Sequence, residues 1–387
     1  MIPIEEPARA SAPRGFALFN LAFRPFYLLA ALFTSISVAL WVAVLQGMPW
    51  GGYLSPVLWH QHEMLFGFGL AVVAGFLLTA GRVWTGLPTP AGLPLALLAV
   101  HWIAARILIY AGPASVAALV DGAFPFVVAA AMARVIVGSK NQRNYFVIAL
   151  LGALGVANLA FHFGFWGLSL RAALWLVMAL VIVMAGRVVP SFTATALPRA
   201  GVVIRPQLDR VALAVTLAAF AADLLELGAA ALAPLAFAAA VLHVARQWRW
   251  APFATRGRPI LWILHLSHAW IPAGLVLLGL ASLGLVRAAA PLHAFGVGAI
   301  GGLIIGMITR TALGHTGRPL TTGRAELAAY VLVHLAAVLR VGASFSPGAG
   351  TVTLIAISGA LWSAAFLIYF ATYLPRLARP RLDGKPG

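Results

Sequence analysis

Apolar residues along this chain run in blocks of about twenty, and the breaks between blocks gather Pro, Gly, Lys and Arg. A block of that length crosses roughly 30 Å of hydrocarbon as a single helix. Placing breaks at the Pro, Gly and Arg clusters predicts twelve helices, at 26–45, 57–80, 91–111, 113–137, 145–163, 168–187, 207–226, 228–247, 259–284, 290–312, 324–343 and 351–375. The pattern therefore predicts an all-α polytopic membrane protein. Its single transmembrane domain covers residues 26–375, between tails at 1–25 and 376–387.

Composition narrows the reading further. Of 387 residues, 62% are hydrophobic and 9% charged, too few charges to cover a soluble surface of this size. Lys and Arg number 26 against 9 Asp and Glu, a balance that in a soluble chain would suggest nucleic acid. Here the basic residues lie between apolar blocks and set topology instead, so no nucleic-acid partner is expected. On the twelve-helix map all but four of the 26 fall on one side; the exceptions are Arg106, Arg171, Arg287 and Arg340. Both tails are therefore expected in the cytoplasm, with the bilayer as the surrounding partner. The first 13 residues, with Pro3, Pro7 and Pro13, lack the apolar core and cleavage site of a secretory signal. Cysteine is absent, which excludes disulfides, iron–sulfur clusters and thiolate-ligated metals. Any transition metal must use His, Met or carboxylate.

Helix direction gives each polar residue a depth. His60, His62, His162 and His293 all fall within about 10 Å of the outer helix ends, at 1.5 Å of rise per residue. Glu63, Arg106, Asp121, Asn158, Asp223 and Glu226 belong to the same half, and ionisable side chains inside a membrane are costly and usually functional. His60 and His62 are two apart, so on a helix they point roughly 200° away from each other. Asn158 and His162 share a face, and so do His265 and His268 toward the cytoplasmic side, where His243 and His315 also lie. His101 and His334, near mid-membrane, are expected to hydrogen-bond a neighbouring helix. Asp223 and Glu226 face Arg106 or solvent. Gly296-Val297-Gly298-Ala299-Ile300-Gly301 fits the dinucleotide pattern, yet it sits inside an apolar helix with no strand before it and marks close helix packing.

Helix 2 aligns with helix 10 without gaps. The alignment pairs His62 with His293, Gly67 with Gly298, Gly75 with Gly306, Thr85 with Thr316, Gly86 with Gly317 and Pro88 with Pro319. The stretch from His101 to Arg106 likewise resembles that from His334 to Arg340, given one inserted residue. A parallel repeat relating helices 1–4 to helices 9–12 follows.

Several runs together resemble the NnrS family of bacterial inner-membrane proteins along nearly the whole chain. They are Phe23-Arg24-Pro25-Phe26-Tyr27, His60-Gln61-His62-Glu63-Met64-Leu65-Phe66-Gly67-Phe68, and Gly75-Phe76-Leu77-Leu78-Thr79-Ala80 with Trp84-Thr85-Gly86. Asn158-Leu159 with His162, Gly186-Arg187 leading to Pro190-Ser191-Phe192-Thr193, His265, His293-Ala294, Gly306-Met307-Ile308 and Leu313-Gly314-His315-Thr316-Gly317-Arg318 complete the set. The chain departs from the family's pattern at Gly81-Arg82-Val83-Trp84, where an Asn is expected before the Trp. It departs again at His268, where an aromatic is commoner, which makes His268 a weaker candidate. The resemblance implies a twelve-helix protein containing haem and copper, associated with nitric oxide metabolism and resistance to nitrosative stress during denitrification. It does not identify the ligands. Without Cys, a haem here would be a non-covalent haem b held by His or Met, and copper would be held by imidazole.

The expected function is a haem- and copper-containing membrane protein that binds or processes nitric oxide, with its electron donor open. His62 and His293 are the leading ligands, as a haem pair or a copper pair. His60 and His162 are further metal ligands, and Glu63 fixes an imidazole or relays protons. His265 and His315 are candidates for a second, cytoplasmic-side group. Arg187 and Arg318, each read as ending a helix, stabilise helix C-termini or pair with a haem propionate. The alternatives are a proton-coupled secondary transporter using the same His and acidic residues, and a metal-dependent sensor or assembly factor.

Overall fold

The computed structural model describes residues 15–385 and is built from twelve long helices, without strands among those residues. We number them α1 Phe23–Leu45, α2 Pro56–Thr85, α3 Leu93–Ala111, α4 Ala114–Gly138, α5 Tyr145–His162 and α6 Trp166–Ala196. The remainder are α7 Pro206–Leu224, α8 Ala229–Trp248, α9 Pro259–Ser282, α10 Ala289–His315, α11 Arg324–Gly342 and α12 Ala349–Ala378. Eleven are long and apolar enough to cross a membrane, which makes this a multi-pass membrane protein. The exception is α7, whose 19 residues include Asp209, Arg210 and Asp223. Residues 1–14 of the expected N-terminal tail, and 386–387 of the C-terminal one, lie outside the described residues.

Local chemistry sets the helix ends. Pro206 and Pro259 open α7 and α9, where a missing N–H costs nothing. Ser55 caps α2 by accepting from the Leu58 amide. Proline inside a helix does not stop it here: Pro125, Pro190, Pro234, Pro272 and Pro375 all sit within helices. The Asp121 carbonyl that Pro125 frees, for example, accepts from Asn158 Nδ2 on a packed neighbour at 3.3 Å. This corrects the expected end of helix 6 at residue 187, because α6 runs through Pro190 to Ala196 and Arg187 lies inside it. Arg318 does follow a helix end. Its backbone amide donates to the Leu313 carbonyl across Gly317, which is left-handed at φ +69°.

The repeat is visible in backbone detail. In α2 the α-helix ending at His62 passes into a π-helical turn, Glu63–Gly69, before resuming at Leu70. In α10 the α-helix ending at His293 passes into a π-helical turn, Ala294–Gly301, before resuming at Gly302. Both helices finish alike. Thr85 donates to the Gly81 carbonyl at 2.6 Å and Thr316 to the Ala312 carbonyl at 2.6 Å, and Gly86 and Gly317 each have φ +69°. The glycines of the 296–301 stretch belong to the second π turn, and Gly298 and Gly301 sit directly against the Trp270 and Trp362 rings. Close packing is thus the role of Gly298 and Gly301, while Gly296 faces open space. The π turns interrupt the regular ladder where the histidines stand, as such turns often do at functional positions.

Candidate metal centre

Four helices bring a polar cluster together inside this apolar bundle. The end of the first α-helical segment of α2 supplies His62, and the π turn starts with Glu63. Helix α3 supplies Arg106, α4 Asp121, and the last turn of α5 Asn158 and His162. His62, Glu63 and Asn158 are fully buried and Asp121 nearly so. Arg106 bridges the two acids, with Nη1 donating to Glu63 Oε1 and Oε2 at 2.7 and 2.8 Å and Nη2 donating to Asp121 Oδ1. The planar guanidinium suits such a bridge, since its parallel N–H groups match a carboxylate.

The imidazole of His62 lies between acceptors. Its Nδ1 is 3.0 Å from Glu63 Oε1, and its Nε2 is 3.1 Å from both Asn158 Oδ1 and Asp121 Oδ2. Asn158 Nδ2 donates to Asp121 Oδ2 at 2.8 Å, which fixes the amide orientation, and His162 Nε2 is 3.1 Å from that same oxygen. The shared face of Asn158 and His162 thus converges on one carboxylate. His62, Asp121 and His162 each present one ligand atom within 4.8 Å of the others. Glu63 and Asp121 against Arg106 leave one negative charge when both imidazoles are neutral. A cation among His62, Asp121 and His162 would offset that charge. Glu63 would then take the Nδ1–H of His62, as a carboxylate commonly does behind a metal-bound imidazole.

The chain matches the NnrS protein family over residues 17–381. It belongs to the NnrS family. No curated protein matches it.

In this NnrS-family chain the four outer histidines divide into two groups. His60 points away from His62, as the two-residue spacing predicts. It stacks on Trp41 with ring centroids 4.1 Å apart, its Nδ1 is buried without a partner, and it lies within electrostatic reach of His293 and Arg340. His293 donates from Nδ1 to the Ala289 carbonyl at 2.7 Å and is not among the polar partners of His62. His62 and His293 therefore occupy equivalent places in the repeat but different groups. Their neighbours differ accordingly: Glu63 corresponds to Ala294.

The residues expected toward the cytoplasmic side are also arranged differently from the expectation. His265 neighbours His268 and His243. His315 lies apart, beside the Phe23 ring, with Arg381 donating to its carbonyl. Arg187 donates to Asn144 Oδ1 at 3.0 Å and covers the Phe146 ring. Arg318 Nη1 is buried without a partner. His101 bonds the Val120 carbonyl, and His334 accepts from Trp270 Nε1, so both serve helix–helix contacts as expected. Asp223 and Glu226 face neither Arg106 nor solvent alone: Trp175 Nε1 donates to Asp223 and Arg171 pairs with Glu226. The sequence reading left Asp121 and Arg106 off its site. Their signal was available as opposite charges in one membrane half, but which of the acids meets Arg106 depends on packing.

Proposed function

We propose that this NnrS-family protein holds copper and haem b in the bacterial inner membrane, with both termini cytoplasmic, and binds or processes nitric oxide there. The observation that carries this reading is the buried His62–Asp121–His162 group, whose ligand atoms lie within 4.8 Å of one another. The donor set fits copper, which accepts imidazole together with oxygen. For haem b the fitting features are imidazole nitrogens free of hydrogen bonds on two related helices. His60 Nδ1 is one such atom. His293, whose Nδ1 donates to the Ala289 carbonyl, would offer its Nε2 as the other ligand. When bound, these metals would supply positions at which a diatomic gas coordinates. The protein's own contribution is a dry site, reached by an apolar gas through the bilayer. Glu63 would orient His62 there and stand ready to relay a proton.

Protein purified from membranes tests the reading through metal analysis and an optical spectrum. The expected result is bound copper and a Soret band, with copper lost in His162→Ala and Asp121→Asn and the Soret band lost in His293→Ala. Wild-type protein lacking both metal and Soret band would refute it. Nitric oxide consumption in the same preparation separates turnover from binding. The second reading, a proton-coupled transporter, draws on the same closed network of acids, Arg106 and His62. It predicts proton movement in liposomes made with metal-free protein.

A further inference from the structure

The end of the bundle that carries the C-terminal tail gathers arginines from α10, α12 and the tail itself. Arg318 follows the left-handed turn at Gly317 that closes α10. The last turn of α12 supplies Arg376, its cap is Arg379, and Arg381 follows. Two hydrogen bonds hold the tail across the end of α10: the Leu382 amide donates to the Thr316 carbonyl at 3.1 Å, and Arg381 Nη1 donates to the His315 carbonyl at 3.0 Å. The arginines then divide by partner. Arg376 pairs with Glu326 at 2.7 Å and Arg381 with Asp383 at 2.6 Å. Among the described residues, Arg318 and Arg379 have no carboxylate partner. Arg318 Nη1 is buried with no acceptor, and Arg376 and Arg379 stand close enough to act on its charge. Arg379 is exposed.

A buried guanidinium N–H without an acceptor is costly, and like charges beside it add to the cost. An anion between Arg318 and Arg379 removes both penalties. We infer that Arg318 and Arg379 form a binding site for the phosphate of an anionic lipid headgroup. The parallel N–H groups of a guanidinium match phosphate oxygens. Glu326 and Asp383 do not compete for them, because each already has its own arginine. The side of α12 that leads to this end favours a lipid over free phosphate. Ile357, Ala360, Leu367, Ala371 and Leu374 are exposed there at helical spacing. Acyl chains lie along such an apolar strip while the headgroup meets the arginines. Basic clusters at membrane surfaces attract anionic lipid by charge alone; here one guanidinium N–H is also fixed inside the protein, which gives the phosphate a defined place. The inference draws on none of the residues proposed to hold copper or haem.

The test mixes full-length protein in detergent with phosphatidylglycerol or phosphatidylcholine and counts retained lipid by native mass spectrometry. Wild-type protein should retain phosphatidylglycerol in preference to phosphatidylcholine. Each basic residue near an anionic lipid contributes roughly fivefold in affinity, so Arg318→Gln/Arg379→Gln should weaken phosphatidylglycerol retention about 30-fold. Arg82→Gln/Arg143→Gln removes the same charge from exposed arginines at the same end of the bundle, where Asn141 donates to the Trp84 carbonyl and the Gly92 amide to the Phe19 carbonyl. That control should retain lipid as wild type does. Arg318→Lys keeps the charge but not the fork, and a smaller loss there keeps the proposal testable should the double variant fail to fold. Equal retention of the two lipids by wild type would overturn the site, as would equal losses in the two double variants. Displacement of phosphatidylglycerol by an equal concentration of sodium phosphate would mark a site for the free ion and overturn the lipid assignment. A Soret band lost together with the lipid in Arg318→Gln would give this guanidinium to a haem propionate and overturn it too.

Discussion

Replacing Arg106 by Met asks the outer cluster to hold two acids without their cation. In the native protein Arg106 makes three charge-assisted hydrogen bonds, two to Glu63 at 2.7 and 2.8 Å and one to Asp121. Glu63 is fully buried and Asp121 is 1% exposed, so no solvent replaces the guanidinium. Met fills much of the stem's volume, which limits the cavity and isolates the charge effect. Removing one partner of a buried ion pair costs about 3–5 kcal/mol, because an uncompensated charge remains. With two carboxylates served by one guanidinium, we expect Arg106→Met to fall at the upper end of that range. Arg106→Lys keeps the charge but cannot bridge both carboxylates, since an ammonium is a single point of contact. It should lie between Met and wild type. Adding Asp121→Asn to Arg106→Met restores the native balance of one negative charge on Glu63, so the double variant should recover part of the loss, the non-additivity expected of residues in one network. Reversible unfolding of detergent-solubilised, metal-free protein in a denaturing-detergent series measures all three. If Arg106→Met unfolds within about 1 kcal/mol of wild type, the acids are not held as an ion network and the charge argument for a cation there fails.

Three further outcomes follow from the same architecture. Topology reporters fused after Gly138 and after Gly201 should read on the same side of the membrane and one near Gly51 on the opposite side; a Gly201 reporter on the Gly51 side would mean that the helix count between them is wrong. His101→Ala and His334→Ala should leave copper and haem content at wild-type levels, since their imidazoles serve the Val120 carbonyl and Trp270; metal loss in either would place a ligand where the structure has a helix–helix bond. Gly301→Leu drives a side chain into the Trp362 ring that lies directly against the π turn. It should lower stability by about 1–3 kcal/mol while metal binding by the His62 group persists, since none of that group's polar contacts involves Trp362, both read on one purified sample.

Span length and charge placement made the helices legible in the sequence, because a bilayer imposes one length and one rule for basic residues. What was lost lay at helix ends. Pro190 reads as a terminator, yet α6 continues to Ala196, since the cost of proline depends on neighbours that a single chain segment does not reveal. The opposite orientations of His60 and His62, and the common face of Asn158 and His162, followed from helical geometry. The partners did not. Asp121 reaches Arg106 on one neighbouring helix and Asn158 and His162 on another, and such convergence is a property of packing. His268 reads as a weaker candidate because it departs from the family's pattern; its Nδ1 lies 2.9 Å from Gln247 Oε1, and its Nε2 is buried without a partner.

The two π turns explain how one duplicated scaffold could come to hold unlike groups. A π turn adds a residue to the helical circuit, which rotates everything before it relative to everything after. In α2 and α10 that rotation falls directly after the paired histidines, so each is set apart in direction from the glycine-rich half that packs against the core. The position following the histidine then decides its surroundings. Glu63 draws Arg106 and, through it, Asp121 into a buried network around His62. Ala294 offers no charge, so His293 turns to a backbone carbonyl instead. Arg340, the counterpart of Arg106, then has no acid at the position of Glu63. The same backbone device thus supports an ionic site in one repeat and a neutral imidazole in the other. That asymmetry sets buried carboxylates around His62 and a backbone carbonyl beside His293.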